Sequence, residues 1–458
     1  MTDFIATDVF VSLFLLILAF SAMAYAFSST DDLAPVAGIL LISYGMFTYA
    51  ILPILGFGAE SAHWFSAPPP TSVSKITLLA LFCICTSMLR RHSMTGSKAW
   101  PLAMLVVTPL LMTIYAQIAL ERELTPESIL QIKLAFLFSC FCFVTLSVAL
   151  ITPDRRRAEQ SAKSFCVVIA ALLSVATTVA FIEVAYGLAP VANFVHGGIE
   201  LRASSIFHNP NWFAFAVAPC IFIACKISQI GKPYAAASLF WLCTLALLLS
   251  GSRSTIALIA VAMLVLALAL CRYGVAISIV WRDIMRPALL GICTGLLSGF
   301  LAAIAVGGPA PAYYVKLLER VFGWPIYFLS GDPETLLSVF GRISSNPEAA
   351  AIVDNAYVYW LEENTLAGIW AIFLMAGVVV LATRQFIRTQ CFDDALRVAV
   401  AVFVACAGAV GQVYWAFPVW PILAVMLGYV VHPIVVEWLD AGNREPFDVE
   451  LLANSRRR

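Results

Sequence analysis

The stretch that decides the fold is Ser250 to Arg272, SGSRSTIALIAVAMLVLALALCR. From Thr255 to Leu270 it carries no charge at all. An α-helix needs roughly 20 such residues to cross about 30 Å of hydrocarbon. The run is therefore read as a membrane-spanning helix entered through a short polar turn. Working outward, the chain repeats the pattern. Hydrophobic residues make up 62% of the 458 and charged residues 12%, and the mean hydropathy is +0.92. A soluble domain is about half apolar and a quarter charged. The short alternating segments of a transmembrane β-barrel are missing. The expectation is an all-α polytopic membrane protein.

Candidate spans fall at 9–27, 34–56, 72–89, 99–120, 130–152, 165–187, 211–228, 235–250, 254–271, 287–307, 356–382, 396–413 and 418–436, about 12–13 in all. The N-terminal MTDFIATD has no basic residue, so the run after it reads as a retained helix rather than a cleaved signal. Orientation follows the cations. Segments 90–98, 152–163, 226–233, 271–286, 383–397 and the tail from 437 hold 19 of the 27 Lys and Arg, while the opposite side holds 6. The rich side is assigned to the cytoplasm, which makes the expected location a bacterial inner membrane, multi-pass. Three regions result: N-terminal helices over 1–188, a core over 189–382 with a large outer loop at 308–355, and C-terminal helices with a cytoplasmic tail over 383–458. Net charge is zero, so a nucleic-acid partner has no support. Gly291, Gly295 and Gly299 form a small-residue stripe that predicts close helix packing.

Four polar stretches share the outer side: RASSIFHNPNW from Arg202, SGSRS from Ser250, ERVFGWPIYFLSGDPE from Glu319, and IVDNAYVYWLEENTLAGIWAIF from Ile352. Arg253 sits in a turn between two apolar spans, where an arginine is costly and marks either a wet substrate path or a side chain snorkelling to headgroups. With Arg202 and Arg320 it gives three arginines on a face that otherwise avoids cations. Guanidinium pairs bidentately with phosphate, so a polyprenyl diphosphate carrying a sugar chain is the fitting ligand. No Asp-x-Asp or His-rich set stands outside, so neither metal nor other cofactor is expected. Asp354 is the candidate catalytic base for an acceptor hydroxyl; a helix N-cap is the other reading. Asn355, Tyr357 and Glu362 follow it as candidate substrate contacts. His208 either orients the Asn209-Pro210-Asn211 turn or touches substrate, and Asn211 either caps the next span or does the same.

RASSIFHNPNWFAFAVAP followed by LLLSGSRSTIALIA, with the two later stretches in order, resembles the signature of the O-antigen ligase and O-antigen polymerase superfamily over about Glu200 to Phe373. The resemblance implies a metal-independent, inverting C-type glycosyltransferase fold acting at the periplasmic face. It implies undecaprenyl-diphosphate-linked glycan as donor and acceptor, membrane lipids around it, and a chain-length regulator as partner. Arg202, Arg253 and Arg320 match the diphosphate-binding arginines. Asp354-Asn355 stands where ligases carry His-Asn, and the Asp-Asn form with Tyr357 is similar to polymerases. Joining repeat units of an O-antigen, capsule or exopolysaccharide is the expected activity. A ligase moving the glycan to another acceptor and a lipid-linked oligosaccharide flippase are the alternatives.

Overall fold

The computed structural model of the chain describes residues 16–27, 34–45, 71–91, 96–120, 126–150, 158–185, 190–193, 198–201, 203, 205–207, 210–229, 231–272, 280–308, 310–312, 314–315, 318, 365–410 and 419–441. Each expected span carries a helix. In chain order these are α1 (Leu16–Phe27), α2 (Ala34–Gly45), α3 (Thr71–Arg91), α4 (Gly96–Leu120), α5 (Pro126–Ala149) and α6 (Ala158–Ala185). There follow α7 (Pro210–Val217), α8 (Pro219–Gln229), α9 (Pro233–Ser250), α10 (Arg253–Arg272), α11 (Arg286–Val306), α12 (Thr365–Thr389), α13 (Phe392–Val410) and α14 (Val419–Ala441). Among the described residues, seven stretches are long and apolar enough to cross a membrane, with α7 and α8 together forming one of them. The chain is a helical, polytopic membrane protein.

That joint span is broken where the sequence reading had one helix. Pro219 has no N–H to give, so the ladder ends with Ala218 N–H donating to Ala214 O at 3.1 Å and resumes at Ile221. The broken span is also the most enclosed, 78% buried against 22% for α11. Phe213, Phe215 and Phe222 fill the centre, with Phe222 edge-on to Phe403 of α13 at 5.5 Å between ring centroids. In contrast, α10, α11 and α12 turn Leu264, Leu268, Leu297, Leu301 and Phe373 outward. An exposed apolar face of that extent belongs against lipid.

The glycine stripe packs as its spacing predicts. A Cβ on Gly291 would stand 2.5 Å from the Ala237 carbonyl oxygen, and one on Gly295 3.0 Å from Thr244. Backbone contact with α9 leaves no room for a side chain, and Trp241 Nε1 adds a 2.6 Å hydrogen bond to Ser298 Oγ. Gly428 on α14 approaches Val148 of α5 in the same way.

Two segments differ from their reading as loops. The outer segment after α6 holds an antiparallel pair, β1 (Pro190–Asn193) and β2 (Gly198–Leu201), in register Pro190 with Leu201. The 383–397 segment is helical almost throughout. α12 runs on to Thr389, Gln390 adopts a left-handed φ of 51°, and α13 starts at Phe392. Its cations therefore ride on helix ends that continue past the apolar span, because a helix satisfies its own backbone whether in lipid or in water.

The two ends of the bundle are defined by contacts between segments far apart in sequence. At one end Lys226 of α8 pairs with Asp393 of α13, Arg388 of α12 meets Glu437 of α14, and His432 of α14 meets Ala149 of α5. Lys226, Arg388, Asp393 and Glu437 lie in segments assigned to one side by the cation count. At the other end, the start of α7 meets the turn between α9 and α10.

Candidate functional site

The turn between α9 and α10 is two residues long. Gly251, at φ 58°, caps α9 in the left-handed conformation, its N–H donating to Leu247 O at 3.1 Å and Leu248 O at 2.9 Å. Glycine reaches that φ without strain. Ser252 follows, its carbonyl accepting the first bond of α10 from Ile256 N at 3.2 Å, and Arg253 opens the helix. The turn thus fixes Arg253, half-buried, at a helix N-terminus. The backbone N–H groups there add positive potential to the guanidinium.

Ser252 ties the turn to the start of α7. Its hydroxyl donates to Asn211 Oδ1 at 3.0 Å and lies 3.0 Å from Thr255 Oγ1. A hydroxyl has one proton to give, so Thr255 donates back to it. Ser250, Ser252 and Thr255 are all buried, and Ser250 Oγ turns away to the Leu247 carbonyl at 2.7 Å. Asn211 does not cap the helix, as one sequence reading had it. Proline takes the first helical position, so Asn211 lies inside the first turn and its side chain points across to Ser252.

A second tie joins the same two stretches. Ala203 N–H donates to Leu249 O at 2.9 Å, using one of the carbonyls that the end of α9 leaves open. Ser205 then adopts a φ of 53°, unusual for a residue with a side chain. Two contacts with α6 hold it there. Its N–H donates to Glu183 Oε2 at 2.8 Å and its Oγ donates to Ala176 O at 2.5 Å.

Glu183 is the residue the sequence reading missed. Its side chain is buried in α6, within a span valued only for hydrophobicity. The available signal was a single carboxylate in the apolar run 165–187, which is expensive and needs a partner. Here the partner is the backbone of the segment bearing the first polar stretch.

Of the predicted site residues, Arg253 and Asn211 are described, and both stand at this junction. Arg202, His208, Arg320, Asp354, Asn355, Tyr357 and Glu362 lie outside the described residues. So does most of the large outer loop. Its described beginning folds back on α11, where Tyr314 donates to the Leu296 carbonyl and lies 6.1 Å from the Phe300 ring. Among the described residues, no group of three or more His, Cys, Asp or Glu is placed to hold a metal ion.

No family model, curated protein or solved structure matches the chain.

Proposed function

We propose that the chain is a membrane-embedded glycosyltransferase that joins lipid-linked glycan repeat units to one another. The observation that carries this is the meeting of two polar stretches 40 residues apart, through Ser252–Asn211 and Ala203–Leu249. It supports reading Arg202 and Arg253 as parts of one site. In this mechanism the anomeric carbon of the donor keeps its sugar chain and loses polyprenyl diphosphate. An acceptor hydroxyl forms the new C–O bond, its proton passes to Asp354, and the electron pair of the broken bond leaves on the diphosphate. Arg253, Arg202 and Arg320 stabilise the charge that grows there. The N-terminus of α10, where Arg253 stands, adds its own positive potential toward the diphosphate.

The test uses purified protein, one defined undecaprenyl-diphosphate-linked repeat unit, and excess chelator. A ladder of products differing by one unit is expected, and Asp354→Asn should slow it about 10²–10⁴-fold. Transfer only when a different acceptor is supplied would make the chain a ligase, and no transfer at all would remove the enzyme reading.

A further inference from the structure

At the opposite end of the bundle, α12, α13 and α14 line an open cavity of about 590 Å³ whose walls include Gln385, Arg388, Arg397, His432 and Glu437. It is remote from the Ser252–Asn211 junction. Lys226 lies 15 residues beyond Asn211 along α7 and α8, a rise of about 22 Å. It pairs with Asp393, whose neighbour Asp394 holds Arg397.

Next to this cavity runs an apolar cleft of about 360 Å³ between α4, α5, α12 and α14, lined almost wholly by carbon. The two share helices at consecutive positions. Leu381 and Val435 line the cleft, while Gln385, one turn beyond Leu381, and Val436, next to Val435, line the cavity. His432 marks the boundary: its Nδ1 lies 2.7 Å from the Ala149 carbonyl, one turn beyond the cleft residue Thr145. A carbonyl can only accept, so Nδ1 carries the proton.

The cations of the cavity are positioned but not exhausted. Arg397 is fastened by Asp394 and stacked 4.9 Å over the Tyr429 ring, and its buried Nε has no hydrogen-bond partner among the described residues. Arg388 meets Glu437 at 3.4 Å with both side chains more than half exposed, a pairing that a stronger anion displaces easily. An apolar slot leading to two guanidiniums has the form of an amphiphile with a phosphate head. Basic pockets between transmembrane helices recognise such headgroups.

We propose that this composite pocket binds an anionic phospholipid of the surrounding bilayer, one acyl chain in the cleft and the phosphate between Arg388 and Arg397. The phosphate takes Arg388 from Glu437 and lies beside Arg397, which lines the same cavity. This assignment stands apart from the proposed transferase activity, since it uses other residues at the other end.

The experiment measures thermal unfolding of the full-length protein in detergent, with added phosphatidylglycerol, phosphatidylcholine of the same chains, or inorganic phosphate. Phosphatidylglycerol alone should raise the unfolding midpoint in a dose-dependent way. Arg388→Gln should weaken that response about tenfold, the loss of one charge-assisted contact. Glu437→Gln, which removes the competitor for Arg388, should strengthen it. Gly377→Leu tests the cleft: Gly377 lines it, and a Cβ there meets nothing within 4 Å, so the leucine fills the slot without a backbone clash. It should abolish the response. An equal shift from inorganic phosphate would make this a free-anion site, and an equal shift from phosphatidylcholine would remove the charge recognition. A Gly377→Leu protein that responds like the wild type would mean that no acyl chain enters the cleft. Each of these three results overturns the proposal.

Discussion

The two ends of the bundle are fastened by different chemistry. At the Lys226 end, Asp393, Asp394 and Glu437 each face a cation supplied by α8, α12 or α13. At the Ser252 end the segments are joined by a hydroxyl to an amide and by backbone N–H to carbonyl. Ion pairs hold helix ends together and, where they are exposed, leave the cation open to a stronger anion. Neutral hydrogen bonds hold helix ends together and leave the charge of the neighbourhood as it was. Arginine thus pairs with carboxylates at one end, at Arg388 and Arg397, and opens a helix beside neutral hydrogen bonds at the other, at Arg253.

The sharpest way to break this contrast is Arg253→Lys. Lysine keeps the charge and loses the fork of donors. If Arg253 serves a developing diphosphate, glycan ladder formation should fall about 10²–10³-fold, by analogy with loss of an oxyanion donor. The membrane level of the protein should stay normal. A fully active lysine variant would place Arg253 among ordinary headgroup contacts.

The neutral fastening itself is tested by a double-mutant cycle on Ser252→Ala and Asn211→Ala. Asn211→Ala leaves the buried Ser252 hydroxyl short of a bond, at a cost of about 1–3 kcal/mol, and Ser252→Ala does the same to the half-buried Asn211 amide at the low end of that range. The coupling between them should be about 0.5–1.5 kcal/mol, read from unfolding in mixed micelles. No coupling would mean that the junction is held by its backbone bonds alone.

At the ionic end the expected signature is pH dependence. Burial pushes the Asp394 carboxyl up, but hydrogen bonds from Thr389, Arg397 and Cys391 outweigh it and hold the group below the usual carboxylate range. Because the folded-state value is depressed, the stabilisation is present above the unfolded value of about 3.9 and is lost as pH falls through the folded one. Thermal unfolding followed from neutral pH downward should show this loss, and Asp394→Asn should flatten it.

The smallest effect belongs to the Lys226–Asp393 pair, whose side chains are each more than a third exposed. Charge reversal of both residues together should change stability by about 0–1 kcal/mol. Salt should screen what little there is. A larger effect would mean that this exposed pair fastens α8 to α13 as firmly as a buried one.

The spans were legible because hydrocarbon imposes a length and excludes charge, and both constraints are written one residue at a time. The stripe of Gly291, Gly295 and Gly299 was legible for a related reason: four-residue spacing on a helix makes one face, whatever that face meets. The strand pair at Pro190–Leu201 was not, since two short strands in an outer segment lack a core face to impose alternation on their side chains. The helical character of 383–389 was hidden by its charges, which mark where lipid ends but not where a helix ends.

The candidate site divides in the same way. Arg253 could be singled out from sequence because an arginine between two apolar runs is costly wherever the helices go. Asn211 was read as a cap or a substrate contact, and the cap reading missed its partner Ser252, 41 residues away. Glu183 was passed over, because a buried carboxylate acquires meaning only from what it accepts, here the N–H of Ser205. Sequence alone determined what depends on one helix and its solvent: that the chain is helical and that its helices are apolar enough to cross a membrane. The tertiary structure alone decided which helix ends meet, and with them the junction at Ser252 and the cavity at Arg388. Those meetings follow from the packing of surfaces far apart in the chain, and no local pattern encodes a partner.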